Sequence, residues 1–170
     1  MLKRQTRKLT ITPPPTREER EQLAAGAASM PVEQTRITVA AMNTLQYGRY
    51  EANRRAVGPW LEAQTGKGWP EAAQDDAGLL LLEAGLRWAR IAAAVTAVET
   101  RTADRVTDEA GDWQRAEWPA LDDIGAFVED VPADLAGALD ELVFDLNPGI
   151  FRTAEQDADD AKKNGGISAS

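Results

Sequence analysis

The chain has 170 residues, a formal net charge of -9, a pI of about 4.6, no Cys and no His. The missing residue types exclude disulfides, thiolate nucleophiles and zinc–thiolate sites, together with the usual general base near neutral pH. The acidic balance makes nucleic acid a poor partner for the surface as a whole.

No run of about 18 apolar residues is present, so no membrane-spanning helix is expected. The N-terminus is basic (Lys3, Arg4, Arg7, Lys8) but leads into Thr and Pro residues, unlike a secretory signal. An intracellular protein is the expectation.

Residues 1–15 read as a basic arm with a short strand. Leu9 and Ile11 alternate with Lys8, Thr10 and Thr12, the period of a half-buried strand, before three prolines break it. The arm is the one part of the chain whose local charge suits nucleic acid. Residues 16–151 read as a helical domain, with a subdomain boundary near 66–70. Thr16 and Glu19 have capping-box spacing and open the first helix, which frays at 24–29. Val32–Val57 reads as a second helix with Val39, Met42 and Leu45 on one stripe, with a strand through the β-branched Ile37, Thr38 and Val39 as the alternative. Gly58-Pro59 is expected to end it, and residues 65–68 to form a loop.

A long helix is predicted from Pro70 or Asp75 to Asp108. Its stripe is Leu80, Ala84, Trp88, Ile91, Val95 and Val98. Residues 111–123 read as a connection holding Trp113 and Trp118. The last helix starts at Pro132 with Leu135, Leu139, Leu142 and Leu146 inward, and Asn147-Pro148-Gly149 stops it. Residues 152–170 are polar and expected to be disordered. The fold class expected is therefore mainly α: four or five helices, with at most a short N-terminal strand or hairpin.

Glu117, Asp122, Asp123, Glu129, Asp130, Asp134, Asp140, Glu141 and Asp145 fall in 116–151, a stretch without Lys or Arg. The wet face of amphipathic helices accounts for such a run. No EF-hand loop spacing occurs within it, and no carboxylate pair is singled out for hydrolysis. Gly58 to Lys67 lacks the spacing and the hydroxyl of a phosphate loop, and no Ser lies in G-x-S-x-G. The expectation is a protein that binds and does not catalyse, with no metal and no cofactor.

Val131-Pro132-Ala133-Asp134-Leu135, and Leu146-Asn147-Pro148 after a Trp-containing linker, resemble the C-terminal helix of tail assembly chaperones of long-tailed bacteriophages. The resemblance centres on residues 113–151. It implies a non-catalytic protein of the host cytoplasm that binds the aggregation-prone tape measure protein during tail assembly. It also implies a longer form made by ribosomal frameshifting. Lys162-Lys163-Asn164, encoded AAA AAA AAC, would contain a slippery heptamer. Trp113, Trp118, Phe144, Ile150 and Phe151 are the candidate partner-binding residues. The competing readings are a small virion structural protein such as a head–tail connector, an acidic DNA mimic, and a carboxylate–Mg²⁺ enzyme.

Overall fold

The computed structural model describes residues 3–151, so the tail expected to be disordered lies outside the described residues. Two stretches expected to be helical are strands. Pro31–Ala40 forms β2 and Val95–Asp104 forms β3. Both are dense in β-branched residues (Val32, Thr35, Ile37, Thr38, Val39; Val95, Thr96, Val98, Thr100, Thr102), whose stiff χ1 suits a pleated surface better than a helix.

The arm supplies β1, Thr6–Ile11, and the Trp connection supplies a two-residue β4, Gln114–Arg115. All four strands pair antiparallel in the order β1-β2-β3-β4. Helices make up 52% and strands 19% of the described residues, so the chain is α+β and the mainly-α expectation is corrected. The sheet is no N-terminal hairpin, since its strands come from residues as far apart as Thr6 and Arg115.

The first helix, α1 (Arg17–Ala24), has the expected capping box: the Glu19 amide donates to Thr16, and the Thr16 amide donates to Glu19. α2 is Thr44–Thr65, started by a reciprocal Asn43/Gln46 box. It runs through Gly58-Pro59, where an end was expected. Pro59 forfeits one helical hydrogen bond, a substantial cost. Val57 and Leu61 on either side are fully buried, and their packing offsets it. The helix stops at Gly66, whose φ of +70° gives the left-handed C-terminal cap that glycine tolerates.

A single turn, α3 (Trp69–Ala72), precedes α4 (Asp76–Ala94), which Asp75 caps through the Gly78 amide at 2.7 Å. α4 ends where β3 begins, so the stripe expected to run on to Val98 is cut at Ala94. Leu80, placed on that stripe, is 67% exposed, while Leu82, Trp88, Ala89 and Ile91 face the core. Glycine lets α4 approach its neighbours. A Cβ at Gly85 would stand 2.8 Å from Val57 Cγ1 of α2, and one at Gly78 would stand 2.1 Å from the Ala72 carbonyl oxygen. After a 3₁₀ turn at Pro119–Leu121 come α5 (Ile124–Asp130), which was not anticipated, and α6 (Ala133–Leu146), which starts one residue after the expected Pro132.

The core joins Ile37 and Val39 of β2 to Val57, Leu61, Ile91, Leu139 and Val143. One polar link ties α4 to α6. Arg90 donates twice to Asp140, Nε and Nη2 each at 2.9 Å, and Arg87 Nε lies 3.4 Å away. Asp140 is only 7% exposed, which corrects its placement on a solvated face; Asp134, Glu141 and Asp145 are exposed. Asn147 accepts from the Met42 amide at 2.7 Å and pins the end of α6 beside β2. Among the described residues, no helix is long and apolar enough to cross a membrane.

Candidate functional site

Strand alternation gives the sheet two unlike faces. Leu9, Ile37 and Val98 are cross-strand neighbours on the face that meets the helices, and Ile11, Thr35 and Thr100 form the next row. α4 and α6 cover the end of this face at Val39, which is fully buried. Toward Pro31 the cover gives out: Thr35 and Thr100 are half-buried, and Glu33 and Thr102 are exposed.

A cleft of about 310 Å³ opens at this margin. Ile11, Ile37 and Val98 of the sheet form its floor. Val131, Pro132 and Leu135, at the junction of α5 and α6, form one wall, and Trp118 lines the cleft from the connection after β4. Glu33, Glu117 and Asp130 also line it and are exposed, which places them at the rim.

Trp118 is held against Phe127 of α5, with ring centroids 6.4 Å apart. The connection around it is anchored where the Trp88 indole N–H donates to the Leu121 carbonyl at 3.0 Å. Trp118 also lines an adjoining hollow of about 480 Å³ shared with Arg115, Pro119 and Asp122. Val98, Ala116 and Glu117 likewise border both concavities.

The five candidate residues do not form one surface. Trp113 lies on the opposite face of the sheet, its ring centroid 4.4 Å from the Arg36 guanidinium and 4.3 Å from that of Arg101. Lys8 and Arg115 share that face by register, and Glu99 pairs with Arg36 there at 2.8 Å. Phe144 and Phe151 meet edge to face at 5.7 Å, and Phe151 meets Tyr50 in the same way at 5.0 Å. Phe151 is 8% exposed and belongs to the core, while Ile150 beside it is 41% exposed.

Glu33, Ile11 and Val98 were not among the candidates. They reach the cleft only through strand pairing, which composition does not reveal. Glu117 and Asp130 lay inside the acidic run, and nothing in their spacing distinguished them from its other members. Among the described residues, no group of three or more His, Cys, Asp or Glu side chains is placed to hold a metal ion. Comparison of the chain with family models, curated proteins and solved structures gives no match.

Proposed function

We propose that this chain is a non-enzymatic tail assembly chaperone of a long-tailed bacteriophage, which keeps the tape measure protein dispersed in the host cytoplasm until the tail assembles. One observation carries the reading. Four residues of the stretch that bears the resemblance, Trp118 in the linker and Val131, Pro132 and Leu135 at the last helix, help line the cleft, whereas Trp113, Leu146, Asn147 and Pro148 do not. An apolar concavity rimmed by charge is what a partner segment needs for docking. The net charge of -9 adds colloidal repulsion that keeps a bound, aggregation-prone cargo in solution.

The test is co-expression with the tape measure protein that this reading assigns as partner, scored as the soluble fraction of that partner. The wild-type chain should raise the fraction and co-purify with the partner. Trp118→Ala should lower both while keeping the wild-type circular dichroism spectrum. A tape measure protein that is equally insoluble with and without the chain would overturn the reading. The same reading expects a frameshift-extended form, checked by sequencing the codons of Lys162–Asn164 and by intact-mass spectrometry for a longer product.

A further inference from the structure

We infer that the cleft takes a cationic amphipathic helix, whose apolar ridge lies on the uncovered margin of the sheet while Lys or Arg side chains meet the rim. The inference rests on the cleft being the partner-binding site and adds the chemistry of what it binds. Two observations lead to it.

The first is the unfinished layer. Beyond Ile37 the helix-facing side of the sheet is less covered: Thr35 and Thr100 are half-buried, Glu33 and Thr102 are exposed, and Leu135 of α6 lines the cleft beside them. A helix is about 10 Å across, the thickness of the layer already there, so one laid beside α6 would complete the two-layer packing. The second is charge. Glu33 on β2, Glu117 after β4 and Asp130 at the end of α5 converge on the rim from three elements, and none of them forms an ion pair among the described residues. Among the described residues, no Lys or Arg lines the cleft. An occupant with acidic flanks would be repelled, and a neutral one would leave the carboxylates unanswered.

The test measures fluorescence anisotropy of labelled helical peptides of about 20 residues, long enough to hold a helix. The peptides share one Leu face and carry Lys, Gln or Glu on its flanks. The full chain should bind the Lys peptide about tenfold more tightly than the Gln peptide at low salt, the scale that three part-exposed ion pairs reach together. The preference should shrink as salt rises. A variant combining Glu33→Gln, Glu117→Gln and Asp130→Asn should lose it, and Trp118→Ala should weaken all three peptides alike. Equal binding of the Lys and Gln peptides by the wild-type chain overturns the inference while leaving the chaperone reading intact. Lys-peptide binding without any rescue of the tape measure protein overturns the chaperone reading and keeps the cleft's selectivity.

Discussion

Removing the Asp140 carboxylate is the sharpest test of how the helical layer is held together. The side chains of Asp140 and Arg90 are 10% and 16% exposed, and two hydrogen bonds of 2.9 Å join them. Asp140→Ala would leave Arg90 desolvated with no counter-charge. Breaking a buried pair in this way costs about 3–5 kcal/mol, and the lower end applies because Arg90 keeps some access to water. In a domain of this size, about 3 kcal/mol lowers Tm by roughly 6–12 °C. Urea unfolding followed by circular dichroism should show a lower midpoint at an unchanged m value. The double variant Arg90→Met/Asp140→Leu should recover most of the loss, since well-packed apolar residues replace such pairs at little cost. Asp145→Ala, at an exposed position on the same helix, should stay within about 0.5 kcal/mol of wild type. An Asp140→Ala variant as stable as Asp145→Ala would refute the reasoning.

Gly78→Ala should destabilise by about 3 kcal/mol or more, because its Cβ would meet the backbone at Ala72 and force α3 and α4 apart; a change under 1 kcal/mol in urea unfolding would contradict the close approach. Gly137→Ala, inside α6 with nothing within 4 Å of the added Cβ, should instead stabilise by about 0.5–1 kcal/mol in the same assay. The Asp104 carboxyl is held down to about 2, first by the Ser29 hydroxyl, then by the Thr107, Val106 and Met30 amides, against an ordinary value of 3.8. Folding thus favours its ionised form. Its contribution is complete above pH about 4 and is lost as pH falls through about 2. Stability measured by urea titration between pH 4 and 2 should fall more gently in Asp104→Asn than in wild type, and parallel slopes would rule this group out.

Local signals in the sequence were legible wherever a side chain answers its own backbone. The Thr16/Glu19 box and the start of the last helix beside Pro132 follow from chemistry within one turn. The strands were harder to see. Val95 and Val98 continue a helical stripe from Ile91 at spacings of 4 and 3, so periodicity alone extends the helix. The switch at Ala94 is decided by the β-branched run and by a partner strand some 60 residues earlier, with Ile37 opposite Val98. Pro59 reads as a stop because its local cost is visible, whereas the burial of Val57 and Leu61 that offsets it is tertiary. Trp118 stood out as a large apolar residue in an acidic linker. Glu33 did not, because a lone carboxylate in a strand is ordinary until pairing carries it to the rim.

The fold also gives the acidic run from Glu117 to Asp145 several separate roles. Asp123 caps α5 by accepting the Ala126 amide at 2.7 Å. Asp140 is spent on Arg90 and Arg87. Glu117 and Asp130 border the cleft, and Asp134, Glu141 and Asp145 face solvent along α6. A mimic of DNA needs carboxylates at phosphate-like intervals on one continuous surface, and capping and ion pairing withdraw two members from any such row. The opposite face of the sheet works against mimicry as well, since Lys8, Arg36, Arg101 and Arg115 oppose Glu99 there. Glu33, Glu117 and Asp130 border an apolar cleft without an ion pair among the described residues, and that arrangement fits the proposed binder better than a decoy.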